Sequence, residues 1–464
     1  MNTQDTICAI ATAQGGAIGV IRISGKDAIA ITDRIFTPVG KHPLPLSERK
    51  AYTMAFGHIR QDDGEIIDEV LIGLFKSPHS YTGEDCVEIS CHGSSFILQQ
   101  VMQLLIRKGC RAAGPGEFTQ RAFLNGKMDL SQAEAVADLI ASSSAATHRM
   151  AMNQMRGGFS RELSALRERL LHLTSLMELE LDFSDHEELE FADRSELETI
   201  AGDIEKVISG LVHSFSVGNV LKNGIPVAIV GETNAGKSTL LNTLLNEEKA
   251  IVSDIHGTTR DVIEDTVNLS GITFRFIDTA GIRDTHDTIE NMGIARSFHK
   301  MEQAEIVLWV VDNTCAEAQI RQLSPRILPL CFNKQLIILL NKSDQVSAVP
   351  TKLSGLPENT VTLSISAKEK TGIQELQNLL VKTASVPELT SSDLIVTNVR
   401  HYEALSLALE DIHRVQNGLQ THLSGDFISQ DLRECLFHLA EIVGGEITAD
   451  EVLGNIFMKF CIGK

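Results

Sequence analysis

The chain has 464 residues, a formal net charge of −20 at pH 7, 43% hydrophobic residues and 22% charged residues. This length suggests about three domains, and the composition excludes a disordered or fibrous chain. A chain this acidic is repelled by a polyanion such as RNA, unless basic groups are concentrated locally or another protein supplies them.

The sequence gives no sign of membrane insertion or export. No stretch approaches the roughly 18 unbroken apolar residues that span a bilayer, and the segment from Met1 to Asp5 lacks a basic-then-apolar signal pattern. We therefore expect a cytoplasmic protein. The eight cysteines form no C-x-x-C pair, so structural zinc and a disulfide framework are not expected, and most thiols should be small core residues.

Residues 1–118 have the pattern of an α/β domain. Short apolar runs at 6–11, 18–23, 70–75 and 86–89 predict strands, and 96–106 predicts an amphipathic helix. Arg22 and Glu88 lie among apolar neighbours, where an unpaired charge is costly. These residues alone predict a buried ion pair between strands.

Helical patterns dominate residues 119–221 and return in 385–464, after a predicted linker at 386–397. An acidic stretch at 182–198 interrupts the first set, and a solvated loop explains it better than a metal site. Because domain termini are often close together, a compact domain can be inserted into another. We expect the domain at 222–384 to be such an insertion, with both flanks packed into one helical domain. Apolar stripes that predict this core are Leu163, Leu166, Leu170, Leu173 and Met177, then Leu405, Ala408, Leu409, Ile412 and Val415, then Leu432, Cys435, Leu436, Leu439 and Ile442.

The segment 231–238, with the sequence GETNAGKS, has the phosphate-binding pattern G-x-x-x-x-G-K-[ST]. It follows a predicted strand at 227–230 and precedes apolar positions at helical spacing. In this arrangement backbone N–H groups and the helix N-terminus hold phosphates, Lys237 reaches the terminal phosphates and Ser238 can ligate Mg2+. Taken alone, the loop leaves open a glycine-rich turn that binds nothing.

Three later segments favour GTP over ATP. The segment Asp278-Thr279-Ala280-Gly281 ends an apolar run, where its carboxylate can hold Mg2+ through water and its glycine N–H can meet the γ-phosphate. The second segment is Asn341-Lys342-Ser343-Asp344, and its Asp344 can accept two N–H bonds from the guanine edge, which adenine cannot offer. The third segment, Ser366-Ala367-Lys368, would complete the base pocket. The predicted contacts in these segments and the P-loop are Asn234, Ala235, Gly236, Lys237, Ser238, Thr239, Asp278, Thr279, Ala280, Gly281, Asn341, Lys342, Asp344, Ser366, Ala367 and Lys368.

Over essentially its whole length the chain resembles the bacterial tRNA-modification GTPases of the TrmE-Era-EngA-like family. The marks are GVIRISG at 19–25, YTGED at 81–85, PGEF at 115–118 within the run 111–127, the inserted GTPase domain and FCIGK at 460–464. The resemblance implies an α/β and α fold. Its parts are an N-terminal α/β folate-binding-like dimerisation domain (1–118), a discontinuous helical domain (119–221 and 385–464) and an inserted Ras-like P-loop G domain (222–384).

The resemblance also implies a function. The protein is expected to be a K+-stimulated homodimeric GTPase that works with the flavoprotein MnmG, in a heterotetramer, on the wobble uridine of tRNA. The product carries a carboxymethylaminomethyl or aminomethyl group at carbon five. A 5-formyl- or methylene-tetrahydrofolate supplies the one-carbon unit, and FAD enters only through the partner. A partner that holds the tRNA would ease the charge problem.

The family pattern implies a folate site in place of the simple ion pair. Its contacts are Arg22, Glu88, Lys127 and the terminal Lys464. The carboxylate would meet pterin donors, and the cations would meet the glutamate tail. Cys461 stands near Lys464 as a possible nucleophilic thiol, with a buried structural cysteine as the equal alternative.

Ile282 follows the segment 278–281 where many small GTPases place a water-orienting glutamine, which an aliphatic chain cannot replace. Family matching assigns this catalytic role to Glu290, with Arg283 as a stabiliser. No arginine finger is identifiable, and the resemblance implies that K+ supplies the positive charge that such an arginine would bring. The implied K+ ligands are Asn234, Ser253, Ile255 and Thr258, and Thr259 joins Ser238 on Mg2+; the remaining implied GTP contacts are Ser253, Thr258 and Thr259. Asn234 alternatively only shapes the loop.

Two other functions compete with this interpretation. A ribosome-assembly GTPase switch would carry a basic RNA module. Residues 385–464 instead contain five Lys or Arg against twelve Asp or Glu and no G-x-x-G, so a KH-type module is absent. A scaffold that binds GTP without turnover is disfavoured by the intact Mg2+ and base-recognition residues.

Overall fold

The computed structural model describes residues 5–13, 15–40, 43–182, 194–249, 265–277, 301–332, 334–346, 356–357, 360–384, 394–445 and 463. Contacts divide the chain into two compact units. The first comprises residues 1–141, 151–209 and 400–464, and the second comprises 142–150 and 210–399. The first unit is thus built from segments on both sides of the second in sequence, as an inserted domain requires.

The strands and helices are numbered here in chain order. The strands are β1 Ile7–Ile10, β2 Ile18–Ser24, β3 Phe36–Pro38, β4 Thr53–Arg60, β5 Ile66–Phe75, β6 Cys86–His92, β7 Arg111–Ala112, β8 Ile225–Val230, β9 Asp265–Leu269, β10 Ile272–Phe276, β11 Ile306–Asp312, β12 Gln335–Asn341 and β13 Val361–Ser364. The helices are α1 Ala28–Asp33, α2 Ser95–Arg107, α3 Glu117–Leu124, α4 Leu130–Ala141, α5 Ala145–Met155, α6 Gly158–Asp182, α7 Arg194–Asn223, α8 Lys237–Lys249, α9 Ala316–Ile327, α10 Ile373–Thr383, α11 Val399–Gln420 and α12 Gly425–Val443.

The first unit contains a seven-stranded sheet in the order β3-β4-β5-β6-β2-β1-β7. Its neighbours pair antiparallel, except that β1 and β7 run parallel. Alternate residues of β5, Val70, Ile72 and Leu74, are buried in a core that also contains Leu98 and Val101 of α2. This two-residue period on the strand and helical spacing on α2 give the sheet one covered face. The predicted strands at 6–11, 18–23, 70–75 and 86–89 are confirmed, whereas β4 was not predicted.

The helices of the first unit come from both flanks of the insertion. Of the predicted apolar stripes, Leu170 and Leu173 on α6, Ile412 on α11 and Leu439 on α12 are all buried. Helix α12 packs against α6 and α4. The prediction that the two flanks form one helical domain is therefore confirmed. Helix α7 runs from Arg194 to Asn223 and so ends just beyond the helical region expected at 119–221.

The second unit contains a six-stranded sheet in the order β13-β12-β11-β8-β10-β9. All neighbouring pairs are parallel apart from the antiparallel pair β9–β10. Trp309, Phe274 and Phe276 are fully buried in it. Since parallel strands end at one edge, the loops after β8, β11 and β12 meet there. This is the expected Ras-like P-loop architecture.

Candidate functional site

The loop after β8 is shaped by two glycines. Gly231 and Gly236 have φ values of +147° and +98°, which side-chain-bearing residues rarely adopt. A Cβ at Gly236 would lie 2.1 Å from Nδ2 of Asn341, and one at Gly231 would lie 2.2 Å from the carbonyl oxygen of Val310. The loop therefore packs closely against Val310 and Asn341 before α8 begins at Lys237. This leaves the N–H groups of the loop and the N-terminus of α8 able to approach phosphate oxygens.

Lys237 lies over this loop. Its Nζ donates to the carbonyl oxygens of Gly231 at 2.9 Å and Glu232 at 2.6 Å. The ammonium is thereby held at the loop where terminal phosphates would bind, and Ser238 follows it in the first turn of α8. The glycine cradle, the helix N-terminus and this cation together fit a nucleoside triphosphate with its Mg2+.

Asn341, at the end of β12, connects the loop to the predicted base pocket. The residue is only 3% exposed. Nδ2 donates to the carbonyl oxygen of Ala235 at 2.8 Å, and Oδ1 accepts from the N–H of Ala367 at 3.0 Å. Thr243 of α8 donates to the carbonyl oxygen of Ala367 at 3.0 Å. Asn341 and Thr243 therefore fix the P-loop and its helix to the segment 366–368.

The surroundings of Asp344 fit the predicted role of a base acceptor. Its Oδ1 accepts a hydrogen bond from Oγ of Ser366 at 2.6 Å, which lowers the pKa of the Asp344 carboxyl below its ordinary value. The carboxylate is therefore ionised at neutral pH and keeps acceptor capacity for the two guanine N–H groups. Lys342 has a left-handed backbone, with φ +64°, and pairs with Asp312 at the end of β11. Lys368 is 80% exposed.

Asn234 has φ +63° and an exposed side chain. Asparagine tolerates this left-handed conformation, which agrees with the loop-shaping interpretation.

Within the described ranges no group of three or more His, Cys, Asp or Glu residues could hold a metal ion. Several predicted residues lie outside the described residues, namely Ser253, Ile255, Thr258, Thr259, Asp278, Thr279, Ala280, Gly281, Arg283, Glu290, Cys461 and Lys464.

Arg22 and Glu88 are directly opposite each other on β2 and β6, and they form the predicted ion pair. Nε and Nη2 of Arg22 lie 2.9 and 2.8 Å from Oε1 of Glu88. The side chains are 19% and 31% exposed, so the pair is half-buried and not buried as expected. The guanidinium carbon lies 5.5 Å from the ring centroid of Tyr81 and 5.7 Å from that of Phe118.

Lys127 contacts the same surroundings. Its Nζ donates to the carbonyl oxygen of Pro78 at 3.0 Å, on the segment 77–85 that also carries Tyr81. Nη1 of Arg22 donates to the carbonyl oxygen of Gly463 at 3.4 Å, one residue before Lys464. Arg22, which pairs with Glu88, and Lys127 thus both contact the segment 77–85, and Arg22 also contacts Gly463, the neighbour of Lys464.

A buried network of charged residues, which the sequence patterns did not predict, includes Glu84 of the segment 77–85. Arg121 on α3 is 4% exposed. Its Nη2 donates to Oδ1 of Asp5 at 2.6 Å and to Oε1 of Glu117 at 3.1 Å, while Nη1 lies 3.3 Å from Glu84. Ser24 donates to Oε2 of Glu84 at 2.7 Å. The charged residues inside YTGED and PGEF were the available signal, because buried charges need partners.

A second missed cluster joins the two flanks of the helical domain. The Glu134 carboxylate on α4 accepts hydrogen bonds from Nε and Nη2 of Arg400, both at 3.0 Å, and lies 2.6 Å from Nε2 of His401. The ring of Phe159 stacks on His401 at 5.3 Å. Glu134 and Arg400 are 266 positions apart in sequence, and no local pattern indicates their pairing.

A P-loop, an Asn-Lys-x-Asp segment and a Ser-Ala-Lys segment at one edge of a parallel sheet define a GTP-binding G domain. The profile described as "GTP-binding protein TrmE N-terminus" matches residues 6–127, and the profile described as "MnmE helical domain" matches residues 130–461.

Full-length relatives agree with these matches. The tRNA modification GTPase MnmE of Bacteroides thetaiotaomicron is 67% identical over 467 residues, covering 99% of this chain and 100% of that one. Its namesake from Bacteroides fragilis is 66% identical with the same coverage. A solved structure of an Era variant from Aquifex aeolicus bound to GDP and AlF4− is 27% identical, covers 40% of this chain and 66% of its own, and has a TM-score of 0.27. The chain belongs to the MnmE family of GTPases.

No helix among the residues that the structure describes is long and apolar enough to cross a membrane.

Proposed function

We propose that this protein hydrolyses GTP to drive modification of the tRNA wobble uridine, together with a flavoprotein partner and a tetrahydrofolate one-carbon unit. The observation that carries the proposal is the extent of the similarity. Relatives named tRNA modification GTPase MnmE align over 99% of the chain. The similarity therefore includes the N-terminal and helical regions as well as the G domain.

The nucleotide part of the proposal draws on the contacts around Lys237. The P-loop backbone and Lys237 bind the phosphates, Asn341 holds the loop against the base pocket, and Asp344 selects guanine. Mg2+ and K+, when bound, would supply positive charge near the phosphate oxygens, where negative charge develops during cleavage. Ser238 and Thr259 would hold Mg2+, and the K+ ligands would be those that the family pattern gives. Glu290 would orient the attacking water.

The folate part draws on the surroundings of Arg22. The Glu88 carboxylate offers an acceptor to pterin N–H groups, while the rings of Tyr81 and Phe118 offer flat apolar surface beside the guanidinium. Lys127 and Lys464 are cations for the carboxylates of a glutamate tail. This donor and acceptor set fits a folate, and it supports a site that the predicted domain 1–118 forms together with Lys127 and Lys464.

The assembly part draws on charge. With a net charge of −20, the chain is poorly suited to hold tRNA alone. We infer a homodimer that binds the flavoprotein MnmG in a heterotetramer in the cytoplasm, with tRNA held mainly by that partner and FAD contributed by it. The G domain (222–384) would act as a timer, inserted between helical parts 119–221 and 385–464.

The K+ requirement is tested by GTP hydrolysis in KCl and in NaCl at matched ionic strength. An arginine finger contributes about 10^3 to 10^5 in rate, so a K+ ion that takes its place should make turnover much faster in KCl than in NaCl. Asn234→Ala should remove most of that difference while Thr233→Ala, at the neighbouring exposed position, should keep it. Equal, slow turnover of the wild type in both salts would reject Asn234 and the switch residues as cation ligands.

The folate site is tested by titration with 5-formyl-tetrahydrofolate. Arg22→Ala should weaken folate binding at least tenfold, the loss of one charge-assisted pair, and leave GTP affinity intact. Arg34→Ala is the matched control, since Arg34 is exposed in the same domain. An unchanged titration for Arg22→Ala would remove this residue from the site.

A further inference from the structure

The P-loop of this protein carries an acidic side chain, Glu232, directly after its first glycine. A carboxylate in a loop that holds a triphosphate is unfavourable, because like charges repel more strongly where water is displaced. Here the carboxylate is engaged by another element. Its Oε2 accepts a hydrogen bond from Nε2 of Gln319, on α9, at 2.8 Å.

Both the oxygen and the nitrogen of the Gln319 amide form hydrogen bonds, and the residue is 8% exposed. Oε1 accepts from the backbone N–H of Asp312, at the end of β11, at 2.9 Å. Since the backbone bond fixes the oxygen end, the NH2 end faces Glu232 and offers it a donor. Gln319 therefore ties the P-loop carboxylate to the neighbouring strand.

Asp312 extends this connection to the base-recognition segment, residues 341–344. Its Oδ1 accepts from the N–H of Thr314 at 3.0 Å and from the Thr314 hydroxyl at 2.7 Å, and its Oδ2 pairs with Nζ of Lys342. A path of polar contacts thus runs from Glu232 through Gln319 and Asp312 to Lys342. It is separate from the direct bond between Asn341 and the P-loop.

The position of Lys237 shows what an untethered Glu232 would do. Nζ of Lys237 already donates to the backbone carbonyl of Glu232 at 2.6 Å. The carboxylate of the same residue, if released from Gln319, would have this ammonium within reach. A carboxylate paired with Lys237 would compete with the terminal phosphates for the cation.

We propose that Gln319 is a positioning residue for the nucleotide: it holds the Glu232 carboxylate away from Lys237 and fixes the P-loop relative to the base-recognition segment. The inference rests on GTP binding at the P-loop. Its consequence is selective, because Lys237 reaches the terminal phosphates. Loss of the tether should weaken a GTP analogue more than GDP.

The test is the dissociation constant of a fluorescent, non-hydrolysable GTP analogue and of fluorescent GDP. Gln319→Ala should weaken the GTP analogue roughly tenfold, the loss of one charge-assisted interaction, and GDP by less. In the Glu232→Gln background the same change should have an effect below about twofold. Gln322→Ala, an exposed glutamine on the same helix, is the control and should bind like the wild type.

A volume-conserving variant guards against simple misfolding. Gln319→Glu places two carboxylates in contact and should weaken the GTP analogue further, whereas adding Glu232→Gln restores a hydrogen bond with donor and acceptor exchanged and should recover binding. Equal losses for both nucleotides, or a loss that persists in the Glu232→Gln background, would overturn the inference. A wild-type chain that binds neither nucleotide would overturn the GTP site as well.

Discussion

Glu134→Gln is a direct test of the cluster that joins the two flanks of the helical domain. The Glu134 carboxylate receives two bonds from Arg400 and one from His401. Arg400 also donates to the carbonyl oxygens of Glu441 at 2.6 Å and Ile442 at 2.9 Å, at the end of α12. The Glu134 carboxylate therefore binds α4 to α11 directly and, through Arg400, connects both to α12. The substitution removes the negative charge of this carboxylate with little change in side-chain shape.

The magnitude follows from the pKa of Glu134. Burial by itself raises this pKa, but the hydrogen bonds and charges of His401 and Arg400 outweigh burial and lower it from 4.5 to about 2. Because the folded-state pKa is depressed, the stabilisation is complete above the unfolded value of 4.5 and is lost as the pH falls towards 2. At about 1.4 kcal/mol per pKa unit, it amounts to about 3 kcal/mol at pH 7, and roughly half remains at pH 3.5.

Urea unfolding followed by two probes measures this effect. Far-UV circular dichroism follows the helices, while fluorescence follows Trp309, the one tryptophan of the sequence, which lies in the second unit. Glu134→Gln should lower the free energy of unfolding of the helical domain by about 3 kcal/mol at pH 7 and by about half that at pH 3.5. The Trp309 transition should not move.

Glu168→Gln, at an exposed position of α6, is the matched control and should change neither transition. A variant as stable as the wild type at pH 7, or a loss of the same size at both pH values, would refute the assigned role of the Glu134 carboxylate.

Three further changes test the nucleotide site. Gly236→Ala should lower GTP affinity at least tenfold, because its Cβ would displace Asn341, 2.1 Å away; unchanged binding in a fluorescence titration would contradict the cradle. Asp344→Asn should reduce the preference for GTP over XTP at least tenfold, because an amide donates to the xanthine 2-oxo group; competition binding measures this, and an unchanged ratio rejects the assignment of Asp344. Glu290→Ala should keep nucleotide binding and lose most turnover in a phosphate-release assay, and full turnover would exclude Glu290 as the water-orienting residue.

The nucleotide site was predictable because its elements are short motifs at strand ends. Parallel strands bring Asn341 and the P-loop to one edge without further information. The pairing of Arg22 with Glu88 was also predictable in kind, since charges inside apolar strands need partners. Its half-burial was not, because exposure depends on the rings of Tyr81 and Phe118 and on where the chain end lies.

Long-range pairings were beyond the sequence patterns. Hydrophobic periodicity reports which face of a helix is buried but not which polar residue of a distant helix it meets. The bond between Glu134 and Arg400 spans 266 positions, and the tether from Gln319 to Glu232 spans 87. Strand β4 was not predicted because two apolar residues, Met54 and Phe56, lie on its exposed face, so apolar and polar residues do not alternate clearly.

Reconstitution of the tRNA modification itself tests the proposed function. The purified chain is incubated with the flavoprotein partner, unmodified tRNA, methylene-tetrahydrofolate, glycine or ammonium, KCl and either GTP or a non-hydrolysable analogue, and the wobble nucleoside is identified by mass spectrometry. We predict the aminomethyl-type product with GTP and little or none with the analogue. Equal product with both nucleotides, or no product while GTP is being hydrolysed, would contradict a GTPase that drives tRNA modification.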